Sequence, residues 1–175
     1  MPALQEISDT LIRDQIVRAV VDVFKTMLSE PVTLNTDPAQ QNVWPPLAGA
    51  AESAKPYVAG MVGFLGDING LIYVYLPEPF ADLCTGKLLG MTPAELKESG
   101  VETVNDAVGE LTNMIVGVFK NGLCDFGYAC KLTIPSIMRG SNFAVELKRP
   151  SARHVFVFDS HGHRIVADIL MKTDE

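Results

Sequence analysis

Glu110 and Asn113 lie three residues apart in DAVGELTNMIVGVFKNGL, a segment whose apolar positions recur with helical spacing. Residues three apart on a helix are neighbours on its surface. A carboxylate in that position can pair with a cation, and an amide beside it offers both a donor and an acceptor. Such a pair can hold a basic group and orient a polar one without exchanging a proton with it. On a helical wheel, Val104, Val108, Leu111, Ile115, Val118 and Phe119 share an arc of about 100° that must face a core. Asp106, Glu110, Asn113 and Gly117 form a narrow stripe on the opposite side.

A solvated Glu-x-x-Asn pair needs no function, so the glycines carry extra weight. Gly109 and Gly117 sit inside the helical pattern, where glycine costs about 1 kcal/mol against alanine and usually has a packing or close-approach reason. An exposed helix face kept low at Gly117 would suit the backbone of a docking partner. Asp106 has a simpler reading as well, a favourable charge near the positive end of the helix dipole.

Other chemistry-bearing residues are less persuasive. His161 and His163 flank a glycine, but a zinc site needs a third ligand, and the remaining histidine is His154. All three are expected at exposed positions, and no metal site is expected. Cys124 and Cys130 have no histidine or acid nearby in sequence, so core or edge packing is expected for both. There is no Gly-x-Ser-x-Gly elbow and no glycine-rich phosphate loop with its lysine.

The elements that must position the stripe read as follows. Residues 9–28 form an amphipathic helix, capped by Ser8 or Asp9. Val32 to Leu34 is expected as a short strand, and residues 35–56 as a loop or insertion. Residues 57–64 and 70–76 are apolar strands around the turn-forming LGDING, which makes a hairpin. Pro77 and Pro79 open a helix ending at Gly90, and TPAELKES makes a short turn. The long helix is expected over 101–121, stopped by Asn121-Gly122. Strands are then expected over 127–134, 143–148, 155–159 and 164–171, with Ser160-His161-Gly162-His163 as a tight hairpin turn. Helix, two strands, two helices and then strands read as α+β with an antiparallel sheet in a single domain over residues 1–175.

Composition narrows the partners. The chain has 14 Lys plus Arg against 21 Asp plus Glu, a net charge of −7, with no run of basic residues longer than two. Nucleic acid, which is held through clustered positive charge, is therefore excluded as a partner. No apolar run approaches the roughly 20 residues of a membrane span. The first residues, MPALQEISDT, lack the basic start and apolar run of a secretory signal. Three cysteines leave one over in any disulfide scheme, so reduced thiols and a cytoplasmic location are expected.

The two long helices also resemble each other. QIVRAVVDVFKTML (15–28) aligns without a gap on ELTNMIVGVFKNGL (110–123), matching Val23 with Val118, Phe24 with Phe119, Lys25 with Lys120 and Leu28 with Leu123.

The stretch Asp106-x-x-x-Glu110-x-x-Asn113, separated by 21 residues from Pro135, resembles the motif of the CheC/CheX/FliY chemotaxis phosphatases. GELTNMIVG, LTIPSIMRG and the Thr26-Met27-Leu28 ending of the first helix are similar to the family as well. The spacing to the proline is one residue short of the family's. Some members carry the Glu-Asn pair on both pseudo-symmetric helices, and CheX carries it on one. Here Gln15 and Arg18 stand where the second helix has Glu110 and Asn113, and an arginine cannot accept a hydrogen bond. One site survives, which makes the chain CheX-like.

The resemblance implies an α+β fold with an antiparallel sheet and two long helices side by side on it. It implies a phosphatase acting on the aspartyl phosphate of a CheY-like response-regulator receiver domain, as a homodimer. Asn113 would orient the attacking water, Glu110 would engage the receiver's lysine, and Asp106 and Gly117 would contact the partner. The protein would need no cofactor of its own, since the receiver supplies the divalent metal, Mg. The alternative is a non-catalytic module of the same fold that binds a receiver or a flagellar-switch partner.

Overall fold

The computed structural model describes residues 7–40, 56–141, 145 and 151–172. Helix α1 (Asp9–Leu28) is capped by Ser8, whose hydroxyl accepts from the Leu11 amide. Strand β1 (Thr33–Leu34) and a 3-10 turn (Pro38–Gln40) follow. The hairpin of β2 (Tyr57–Gly66) and β3 (Gly70–Pro77) leads into α2 (Glu78–Leu89), α3 (Pro93–Ser99) and the long α4 (Val101–Asp125). Then come β4 (Cys130–Leu132), β5 (Ser136–Gly140), β6 (Ser151–Ser160) and β7 (His163–Lys172).

Among the described residues the strands form one antiparallel sheet of seven, ordered β1-β6-β7-β3-β2-β4, with β5 also on β2. Strand β2 alternates its faces. Val58, Val62 and Phe64 join the helices in one core, while Tyr57 and Ala59 join Tyr73, Tyr75, Val155 and Val157 on the other side. Ile16, Val20 and Phe24 of α1 and Val108, Leu111, Ile115 and Phe119 of α4 close the first core. The two helices run antiparallel, because Gln15 meets Gly122 while Leu28 lies with Ala107, Val108 and Leu111. No helix among the described residues is long and apolar enough to cross a membrane.

Several expectations need correction. Gly122 does not stop α4, which runs on to Asp125. The stop is at Gly127 (φ 93°), where the Gly127 amide bonds to the Cys124 carbonyl and the Tyr128 amide to the Leu123 carbonyl. The strand expected over 127–134 shrinks to β4, since the helix end consumes its start. Strand β5 was not expected from the residue pattern, although it falls within LTIPSIMRG, the segment similar to the family's strand after the helix. The strand expected over 143–148 lies outside the described residues except for Val145, as do residues 41–55 of the expected loop.

The final hairpin is as expected, with His161 (φ 49°) and Gly162 (φ 76°) both left-handed, the conformation of a two-residue turn that suits the strand twist. His161 has a structural task there. Its ring and the Lys87 ammonium both bond to the Glu30 carboxylate, which is only 2% exposed. Burial alone would raise the pKa of Glu30. The hydrogen bonds from Lys87 and His161 outweigh it and hold the group below the usual range. Thus the end of α1 is fastened to α2 and to the β6–β7 turn. On the far face Asp168, fully buried, receives Arg153 in a two-bond pair of 3.0 and 2.6 Å.

Candidate functional site

Helix α4 is seated by close contacts on several of its sides. Under it, Thr112 rests on Gly60 of β2, where an added Cβ would fall 1.9 Å from Thr112 Oγ1. That hydroxyl turns back to donate to the Val108 carbonyl at 2.7 Å, so it needs no partner from the sheet. Towards α1, a Cβ on Gly122 would fall 1.9 Å from Gln15 Oε1. At the sheet's β4–β5 edge, position 109 faces Ile137 and Pro135 at 3.6 and 3.8 Å, which is ordinary van der Waals contact. Near the helix start, the Arg139 guanidinium of β5 donates to Asn105 and reaches Glu78 at 3.7 Å.

What these contacts leave uncovered is the stripe Asp106, Glu110, Asn113, Gly117. Asp106 and Glu110 are exposed, and Asn113 and Gly117 are half-buried. Among the described residues, the side chains of Asp106, Glu110 and Asn113 have no hydrogen-bond or ion-pair partner. All four residues therefore stand together on one rigid face, with their polar groups free to meet something else. Asp106 sits in the second turn of α4, beyond the first turn where a helix dipole acts, and Glu102 already occupies that first turn. The dipole reading of Asp106 thus loses its ground.

Gly117 has open surroundings. Nothing among the described residues lies within 4 Å of where its Cβ would be, so none of them requires a glycine there. The glycines that accommodate close approach at the α4 contacts are Gly60 and Gly122. Sequence reasoning missed both, because their contacts join residues far apart in the chain.

The equivalent face of α1 offers no such pair. Gln15 is turned against Gly122, and Arg18 pairs with Asp22 one turn on, at 3.6 Å. The thiols Cys84 and Cys130 are buried, and burial pushes the Cys84 thiol up to about 12, far from a reactive thiolate. Among the described residues no three His, Cys, Asp or Glu come together as metal ligands. A groove of about 760 Å³ does open between α2, α3 and the start of α4, lined by Asp82, Leu83, Leu96, Val101 and Arg139 among others. None of the stripe residues lines it, so volume and chemistry do not coincide here.

Fold and site together define an α+β protein of the CheC-like kind, with one Glu-Asn pair on its second long helix. Residues 58–159, more than half of the chain, match the family described as chemotaxis phosphatase CheX, and the chain belongs to that family. Among solved structures it is similar to the chemotaxis protein CheX of Vibrio vulnificus (22% identity, 92% of this chain and 96% of that one, TM-score 0.73). A CheC-like superfamily protein of Shewanella sp. PV-4 is comparable (23% identity, 95% and 100% covered, TM-score 0.72). So is the CheX of Borrelia burgdorferi, solved in complex with CheY, BeF3 and Mg (20% identity, 93% and 98% covered, TM-score 0.69). No curated protein matches the sequence.

Gly60 and Gly117 make a discriminating pair for stability. Gly60→Ala should lower the unfolding free energy by about 1–3 kcal/mol, since the methyl has nowhere to go but into Thr112. Gly117→Ala should raise it by roughly 0.5–1 kcal/mol, because an open helical position prefers alanine. Urea unfolding of both variants reads the two signs. A Gly117→Ala protein less stable than the parent would contradict the open surroundings described above.

Proposed function

We propose that the chain is a phosphatase for the aspartyl phosphate of CheY-like receiver domains, with Asn113 and Glu110 as its working pair. The observation that carries the reading is the Glu110–Asn113 pair on one face of α4, where neither side chain has a partner among the described residues. Membership of the CheX family and the Borrelia CheX–CheY complex support the choice of partner.

The substrate brings its own divalent metal and lysine, so the phosphatase has little covalent chemistry to perform. Hydrolysis needs water in line with the phosphorus–acyl oxygen bond. As water adds to phosphorus that bond breaks, leaving the aspartate carboxylate and inorganic phosphate. Positioning and charge stabilisation dominate such a step. The Asn113 amide can donate to one group and accept from the water, fixing it without taking its proton. Glu110, one turn back, pairs with the receiver's lysine on docking, where partial loss of water strengthens the ion pair. Asp106 extends the acidic stripe by another turn. Gly117 leaves room for the partner's backbone beside Asn113.

The reading separates the two residues kinetically. Asn113→Ala should abolish accelerated phosphate release while leaving receiver affinity nearly intact, because the amide acts mainly in the transition state. Glu110→Ala should weaken affinity as well as rate, by roughly 2–5 kcal/mol in binding. Neither side chain has a partner among the described residues, so neither change should move stability by more than about 0.5 kcal/mol. Phosphate release from several phosphorylated receivers measures this. An Asn113→Ala protein as fast as the parent would refute the catalytic role, and a parent that binds receivers without speeding hydrolysis would favour the binding-module alternative.

Self-association as a homodimer through exposed strand edges belongs to the same proposal, since an unpaired edge is a template for another strand. Light scattering that returns a monomer mass at micromolar concentration would count against it.

A further inference from the structure

Polar groups alone make a poor docking face. Glu110 and Asn113 exchange water for partner groups on binding, so their net contribution is small even though removing one, which strands its partner, costs more. Affinity must come from apolar surface removed from water. On α4 itself the only large apolar side chain among the described residues that is well exposed is Val101, at the helix start and away from the pair. On the edge of β2 beside α4, however, stands Ile134, one residue before the Pro135 that touches position 109, and at 87% it is the most exposed large apolar residue described.

Single exposed apolar residues are ordinary on protein surfaces. Ile134 is set apart by how it is held and where. Its predecessor Thr133 donates its amide to the Gly63 carbonyl at 2.9 Å, and the Gly63 amide donates to Thr133 Oγ1 at 2.8 Å. Its successor is Pro135, with a fixed φ, after which Ser136 pairs with Met61. Ile134 thus occupies a rigid corner between two short strands on one edge of β2. Gly60 lies beneath Thr112 and the Phe64 ring meets Phe119, so a corner bonded to Gly63 comes level with the turn carrying Asn113 and Gly117. Pro135 touches α4 at position 109, directly before Glu110. Isoleucine is branched at Cβ and stiff at χ1, so seating it sacrifices little conformational freedom.

We propose that Ile134 is the apolar anchor of the docking face, seated against an aliphatic or aromatic patch that borders the phosphorylated aspartate of the receiver domain. This rests on the receiver-phosphatase reading above and adds to it a residue that sets affinity. Ile134 is a specificity residue, distinct from the pair that acts on the phosphoryl group. A receiver with a charged or strongly polar surface at that spot would be disfavoured, because its groups would lose water without gaining a partner.

The test compares Ile134→Ser and Ile134→Val with the parent, using a CheY-type receiver phosphorylated by acetyl phosphate in Mg²⁺ for kinetics. The same receiver held active by beryllofluoride serves for binding. Ile134→Ser should raise KM and Kd about tenfold, the order expected from losing one buried aliphatic side chain. It should leave kcat within about twofold and the melting temperature unchanged. Ile134→Val should recover most of the affinity. Parental KM and Kd in Ile134→Ser would overturn the proposal, and so would a fall in kcat at unchanged KM. An Asn113→Ala control that keeps the parental rate defeats the phosphatase reading alone, since the binding measurement still decides the anchor. A parent that binds no receiver defeats both.

Discussion

Thr112 rests on the bare backbone of Gly60, and that contact sets the rotation of α4 about its own axis. Turning the helix by a single residue position moves every side chain through about 100°, enough to exchange a buried arc for an exposed one. Leu111, Ile115 and Phe119 would then leave the core, and the Glu110 carboxylate would be driven towards it without a partner, at a cost of several kcal/mol. Gln15 against Gly122, and Pro135 and Ile137 against position 109, hold the same rotation from two further sides. The bare stripe is what remains when those sides are covered. The site is therefore a consequence of how the helix is seated.

The same constraint distinguishes the two related helices. At the level of sequence α1 and α4 look like copies, yet the first uses its equivalent positions for the fold. Gln15 lies against α4, and Arg18 is engaged by Asp22. Only α4 keeps a carboxylate and an amide without partners among the described residues. Of two helices with similar sequences, one thus spends these positions on contacts within the fold, and the other leaves them without partners among the described residues. Glu30 secures the first, since its carboxylate joins the end of α1 to Lys87 and to the hairpin turn at His161.

Much of this was legible in the sequence where the physics is local. Helical periodicity located α1 and α4 and assigned Glu110 and Asn113 to the solvent side. The His161-Gly162 turn was readable because a two-residue hairpin demands left-handed residues. Contacts between distant segments were not readable. Glu30 is 57 residues from Lys87 and 131 from His161, and nothing in the composition of either segment announces that triad. Strand β5 was invisible for a similar reason. SIMRG has no clean alternation of its own, and it becomes a strand because the Pro135 corner brings it alongside β2. Gly122 was misread as a stop because the chain shows a glycine without showing the glutamine side chain lying on it.

On the function proposed here, the stripe on α4 meets the phosphoryl group of a receiver domain. The most direct measurement is a crystal structure of this chain with a CheY-type receiver held active by beryllofluoride and Mg²⁺. The Asn113 amide should reach into the receiver's active site, within about 3.2 Å of the beryllofluoride or of a water in line with it. Glu110 should lie against the receiver's lysine in the same structure. A receiver seated on the Arg18 face of α1, or an Asn113 side chain turned away from the beryllofluoride, would contradict it.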